Sequence, residues 1–123
     1  MKHPFADLIG LTVESVKNGT SHCRLQSDEK CFNPHGVLHG AVIYALADTG
    51  MGGAVYTLLE KGELCATIDI GISYFKAVRE GFLDCYTKVL HKGKTLARLE
   101  SEIYNHDQLI AKAYGNFSIF RPE

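Results

Sequence analysis

From Gly40 to Leu59 the chain is apolar on every side of a helix: Val42, Ile43, Leu46, Met51, Val55 and Leu58 leave no polar stripe. A helix without a polar face has to be enclosed on most sides. At about 20 residues the run also has the length of a membrane span. Gly50, Gly52 and Gly53 weaken such a helix, however, and Asp48 at a bilayer centre would be strongly unfavourable. The run therefore reads as a core helix with Asp48 as its one charged residue, preceded by a turn rich in Asn, Pro, His and Gly.

The flanking sequence supplies the enclosure. Pro4 to Ile9 fits a short opening helix, with Phe5, Leu8 and Ile9 on one side and Gly10 ending it. Two strands follow, Leu11 to Lys17 and Ser21 to Ser27, joined at Asn18-Gly19, where both residues tolerate positive φ. The polar segment Asp28 to Lys30 closes that pair. After Gly62 the period becomes two, with Ile68, Ile70 and Ile72 on one face of a strand and Thr67, Asp69, Gly71 and Ser73 on the other. Phe82 to His91 forms the next strand, and Lys92-Gly93-Lys94 is its turn. Ala97, Leu99, Ser101 and Ile103 then alternate with Arg98, Glu100 and Glu102, the inside and outside of a half-buried strand. Asn105-His106-Asp107 leads into a last strand, Leu109 to Phe120. The expectation is one α+β domain over residues 1–123, an antiparallel sheet curled about the central helix. There is no repeat, low-complexity tract or linker.

A net charge of -1 and a pI near 6.6 give no broad basic field, which argues against a nucleic-acid partner. A polyanionic small molecule needs only a local basic patch. Cys23, Cys31, Cys65 and Cys85 form no C-x-x-C pair, so they read as free thiols of a reducing compartment rather than as a zinc ribbon or redox site. The start MKHPFADLIGL breaks its apolar residues with Pro, Asp and Gly where a signal peptide needs an unbroken run, so a cytoplasmic protein is expected. His35 and His39 have the spacing of two metal ligands on a helix. Pro34 and Gly36 argue against a helix there, and no third ligand is evident, so neither metal nor cofactor is expected.

The run N-P-H-G-x-x-H-G-A followed by L-A-D resembles the active-site motif of the hotdog-fold acyl-CoA thioesterases, in the phenylacetic-acid-pathway and 4-hydroxybenzoyl-CoA thioesterase group. The likeness continues through T-I-D-I-G-I-S-Y and H-K-G-K-T and covers most of the chain beyond residue 30. It departs from the usual pattern at Ala41, where the family has a second Gly, which adds a methyl but removes no backbone N–H. The resemblance implies an acyl-CoA substrate, a homodimer with sites at the subunit interface, and often a tetramer built as a dimer of dimers. It also implies a site containing Asn33, Gly36, His39, Gly40 and Asp48, with Thr67 orienting the attacking water.

Thioester hydrolysis needs a water or carboxylate aimed at the carbonyl carbon and donors aimed at the oxygen where negative charge develops. Gly40 opens the apolar helix, where backbone N–H groups lack intrahelical partners and the dipole favours an anion, so its N–H is the candidate oxyanion donor. Asn33 adds a side-chain amide donor. Asp48 is the acid, as general base or as nucleophile. Gly40 and Asp48 are eight positions apart, roughly 12 Å along one helix axis. One carbon cannot lie about 3 Å from both, so a composite site needs Gly40 from a second subunit of a two-fold dimer. His39 reads mainly as support for the turn. Lys92, Lys94 and Arg98 around Gly93 are candidate contacts for the coenzyme A phosphates, with Lys76 and Arg79 as a second cluster. Two other readings stay open: a noncatalytic acyl-CoA sensor, and a 3-hydroxyacyl thioester dehydratase, whose His-Phe-Pro-Gly pattern is absent.

Overall fold

A computed structural model describes residues 2–26 and 28–123. In chain order it contains helix α1 (Pro4–Ile9), strands β1 (Leu11–Lys17) and β2 (Thr20–Leu25), a 3-10 turn at Glu29–Cys31, and helix α2 (Gly40–Tyr56). Strands β3 (Leu64–Tyr74), β4 (Leu83–Lys92), β5 (Leu96–Asn105) and β6 (Gln108–Phe120) follow. The strands form one antiparallel sheet in the order β1-β2-β4-β5-β6-β3, and α2 touches every one of them. This is the curled α+β arrangement expected from an apolar helix that needs cover on most sides.

Local chemistry explains most boundaries. Pro4 stands in the first turn of α1, where its missing N–H costs nothing, and Gly10 ends the helix at φ 81°. Asn18 and Gly19, at φ 48° and 79°, make the left-handed pair of a tight hairpin. Strand β2 stops at Leu25, short of the expected end; Ser27 lies outside the described residues. Helix α2 ends at Tyr56 rather than Leu59 because Thr57 intervenes. Its hydroxyl donates to the Ala54 carbonyl at 2.8 Å and accepts from the Gly19 N–H at 2.7 Å, which ties the helix end to the first hairpin.

The core lies between α2 and the concave face. Leu46, Met51 and Val55 are fully buried against Leu25, Leu83, Leu99 and Ile103, and enclosing an aliphatic side chain of this size stabilises by roughly 2 kcal/mol. A β-carbon on Gly50 would meet Thr87 Oγ1 at 2.9 Å, and one on Gly115 would meet Met51 Sδ at 2.5 Å. Gly50, which weakens the helix by propensity, thus lets it approach the sheet, and Gly115 makes room for Met51 from the strand side. Ser21 donates to the Gly50 carbonyl at 2.6 Å, and the buried Thr87 and Ser101 hydroxyls pair at 2.6 Å. Cys23 and Cys85 face each other across β2 and β4, where burial pushes their thiols up to about 12 and about 11. Such thiols stay protonated and unreactive.

The opposite face carries the charges, with Lys88 3.4 Å from Glu100 and Lys112 3.6 Å from Glu102. Asp84 lies 2.6 Å from His22 and 3.0 Å from Arg24. Burial alone would raise its carboxyl, but the hydrogen bonds from His22 and Arg24 outweigh burial and hold it below the usual carboxylate range.

Strand β3 corrects the expected alternation. Thr67 pairs with Phe117, but the next pair is Asp69 with Asn116, so Ile68 is an extra residue in a β-bulge. Ile70, Ile72 and Tyr74 pair with Gly115, Ala113 and Ala111. Directly opposed residues share a face, so Thr67 joins Ile70 and Ile72 on the helix side, while Ile68 is 52% exposed. Period two could not show this, because the extra residue is itself an isoleucine that continues the apparent alternation with Ile70 and Ile72.

Gly115→Ala should lower stability by about 1–3 kcal/mol through overpacking against fully buried Met51. Urea unfolding monitored by circular dichroism checks this, and an unchanged midpoint would mean that Met51 swings aside at no cost.

Candidate active site

The turn before α2 is built by Asn33. Its backbone N–H donates to the Val37 carbonyl at 2.8 Å, and its carbonyl accepts from Gly36 N–H at 3.1 Å. Its side-chain Oδ1 accepts from the His35 N–H at 2.8 Å. With that oxygen occupied, the Nδ2 group is the part of the amide left to donate outward. Gly36 closes the turn at φ 78°, a conformation that disfavours any side chain, and open space surrounds it.

His39 is the N-cap of α2. Its Nδ1 accepts from the Ala41 N–H at 2.9 Å, so that nitrogen is unprotonated and the ring supports the helix start. The cap also occupies one of the first free N–H groups. Gly40 N–H has no acceptor among the described residues, and it stands at the positive end of the helix dipole. Beside it opens a cleft of about 300 Å³ lined by Leu38, Gly40, Ile43, Tyr74, Lys76 and Val78.

Asp48 is half-buried two turns farther along α2. Its Oδ1 accepts from Thr67 Oγ1 at 2.7 Å, a contact that the Ile68 bulge makes possible by turning Thr67 toward the helix. Its second oxygen has no partner among the described residues. Cys65 lies on the same side, and burial first, then the Asp48 charge, raises its thiol. The structure thus joins Asp48 with Thr67, and Asn33 and His39 with the Gly40 end. It does not bring Asp48 and Gly40 together within one chain, since both belong to the same helix.

The candidate phosphate contacts do not form one group. Lys92 pairs with Ala97, whose side chain is buried on the helix side, whereas Arg98 pairs with His91 on the outer face. Arg98 lies 3.4 Å from Asn116 and packs over Tyr114. The pleat therefore separates Lys92 from Arg98, and Lys94 is exposed in the turn between them. Sequence reasoning left Tyr74 out of the site, although its hydroxyl donates to the Gly40 carbonyl at 2.7 Å. Its one signal was its place at the end of T-I-D-I-G-I-S-Y. Lys76, expected with Arg79 in a second cluster, lines the cleft together with Gly40. Among the described residues no three His, Cys, Asp or Glu side chains gather as metal ligands, and no helix is long and apolar enough to cross a membrane.

The profile of the thioesterase superfamily matches residues 35–112, from the end of the turn through all of α2 and β3 to β5; Asn33 lies just before the matched segment. A solved structure, the conserved protein PA5202 of Pseudomonas aeruginosa, superposes with a TM-score of 0.93 at 31% identity, covering 98% of this chain and 96% of that one. The thioesterase HI1161 of Haemophilus influenzae shares the fold, with a TM-score of 0.90 at 22% identity over 95% of this chain and 82% of its own. A 1,4-dihydroxy-2-naphthoyl-CoA hydrolase of Listeria monocytogenes is 26% identical over 79% of each chain. The chain belongs to the thioesterase superfamily, has the hotdog fold, and is a thioester hydrolase.

Proposed function

We propose that the protein hydrolyses the thioester of an aryl- or medium-chain acyl-CoA to the free acid and CoA, at two sites that each combine Asp48 of one subunit with Gly40 of its partner. The observation that carries this reading is the separation of a clamped carboxylate from an unoccupied N–H donor along one helix. Thr67 holds Asp48 Oδ1 and leaves the other oxygen free to take a proton from water or to attack the carbonyl carbon. The partner's Gly40 N–H and Asn33 Nδ2 face the oxygen on which charge develops. In the water route, hydroxide adds to the carbonyl carbon, the C–S bond breaks, and the departing CoA thiolate takes the proton that Asp48 removed.

Strand β3 supports the dimer. It is 11 residues long, lies at the sheet edge, and contains no fully buried residue; Leu64 and Tyr74 are each 47% exposed. A long apolar edge of this kind invites pairing with another strand. Two copies running antiparallel about an axis near Gly71 would set Thr67 and Asp48 of one chain beside Tyr74 and Gly40 of the other. Two such dimers then pair as a tetramer. A CoA thioester substrate and four free cysteines fit a cytoplasmic protein.

Asp48→Asn should keep acyl-CoA binding and lose roughly 10²–10⁴-fold in kcat, read by direct thioester absorbance over a panel of aryl and alkyl acyl-CoAs. Full activity in this variant would remove Asp48 from the mechanism, and saturable binding without turnover by the wild type would favour a sensor.

Asn33→Ala should lower kcat by about 10²-fold, the low end for loss of one oxyanion donor, because the Gly40 donor remains. If rate and KM both stay at wild-type values, Asn33 has no place in the site.

Mixing inactive Asp48→Asn and Gly40→Pro subunits should restore about a quarter of wild-type activity, since each mixed dimer keeps one intact composite site. Proline removes the N–H, and His39 at ψ 134° already has the backbone that precedes proline. Failure to recover any activity despite mixed dimers forming would place both residues of a site on one chain.

A further inference from the structure

We infer that Tyr74 is a positioning residue for the Gly40 donor, holding the first turn of α2 on β3 so that the Gly40 N–H keeps its aim at the substrate oxygen. The inference rests on the proposed hydrolytic reading and adds to it a residue that acts through Gly40 rather than on the substrate.

The argument starts from the weakness of the helix start. A glycine at the first helical position has more backbone freedom than any other residue, and terminal turns open readily. A donor that wanders by about 1 Å is worth far less to a transition state than a fixed one. Three contacts remove that freedom. The Tyr74 hydroxyl donates to the Gly40 carbonyl at 2.7 Å. The Tyr74 ring lies so close that a β-carbon on Gly40 would be 3.1 Å from Cζ. His39 Nδ1 takes the next N–H, that of Ala41, at 2.9 Å. With the carbonyl, the α-carbon and the following N–H all held, the Gly40 N–H is the group left pointing outward.

The hydroxyl has little reason to be there for stability alone. Tyr74 is 47% exposed at the end of a strand, where water could satisfy its hydroxyl. Partial burial, with a smaller contribution from Tyr44, pushes its ionisation above the ordinary tyrosine range, so it stays a donor through neutral pH.

The strand itself gives the clamp a wider meaning. Thr67 and Tyr74 are seven positions apart, an odd spacing that would put them on opposite faces of a regular strand. The bulge at Ile68 restores the parity, and both reach α2 from the same side. One strand therefore holds Asp48 through Thr67 and Gly40 through Tyr74. Because β3 is also the proposed seam, its pairing with a second copy would carry each clamped group toward its mate.

The test compares steady-state hydrolysis by wild type, Tyr74→Phe and Asp48→Asn, with thermal unfolding of each. Tyr74→Phe keeps the ring and loses the hydrogen bond; a roughly ten- to hundredfold fall in kcat with KM and Tm close to wild type is the expected result. Full kcat in Tyr74→Phe while Asp48→Asn is inactive would overturn the role of Tyr74 and leave the hydrolytic reading standing. Full activity in Asp48→Asn, or no hydrolysis by the wild type, would overturn that reading and this inference with it. A variant whose kcat falls only in step with lost folded protein would show a structural contact and also overturn the proposal. As a second measurement that keeps the contact, 3,5-difluorotyrosine at position 74 ionises at lower pH and should move the alkaline limb of kcat to lower pH; an unmoved limb would refute the hydroxyl's part.

Discussion

The enclosure of α2 is the constraint on which everything else depends. Its fully apolar surface cannot meet water on any broad side, so the sheet has to wrap it, and wrapping demands close approach. Gly50 and Gly115 provide that approach, one on the helix and one on β6, each leaving space that a methyl group would fill. The conflict between helix propensity and helix packing is thus resolved in favour of packing. The loss for glycine within a helix is about 1 kcal/mol, and the burial of Leu46, Met51 and Val55 outweighs it.

A helix held this firmly is a useful place for a charge. Asp48 sits on the side of α2 that faces β3, at the margin of the sheet, where the core ends and an edge begins. The carboxylate keeps one oxygen bonded to Thr67 and the other free, a compromise that full burial or full exposure would prevent. The start of the same helix supplies the opposite character, an N–H group at a positive dipole end. Two complementary groups therefore stand roughly 12 Å apart on one rigid rod. A two-fold partner is the simplest way to make them meet, and the exposed, apolar β3 edge offers a place for it.

The two faces of the sheet divide the remaining work. Hydroxyls and thiols small enough to tuck under Gly50 lie inside, paired with one another or with the helix backbone. Charged side chains lie outside, where His22 and Arg24 offset the burial of Asp84. Lys92, at the end of β4, departs from this division: the pleat turns it to the helix side with Ala97, away from Arg98. Lys76 is placed better for an anion near Gly40 because it follows β3 directly, at the rim of the cleft.

Much of this was legible in the residues. An apolar run without a polar stripe determined a wrapped helix, the Asn18-Gly19 pair determined the first hairpin, and alternation from Ala97 to Ile103 determined which side of β5 is buried. The motif from Asn33 to Asp48 marked the candidate site, and simple helix rise already required a second subunit if Gly40 and Asp48 act together. Only the tertiary structure decided where α2 stops, since Thr57 ends it by reaching Gly19, a contact 38 positions away in sequence. Only the tertiary structure decided which way Thr67 faces, because the Ile68 bulge arises from the register between β3 and β6. The hydrogen bond from Tyr74 to the Gly40 carbonyl, 34 positions apart in sequence, was decided at the same level. Hydrophobic period and helix rise are local properties that a sequence carries in itself, whereas strand register and long-range hydrogen bonds exist only once distant segments have met.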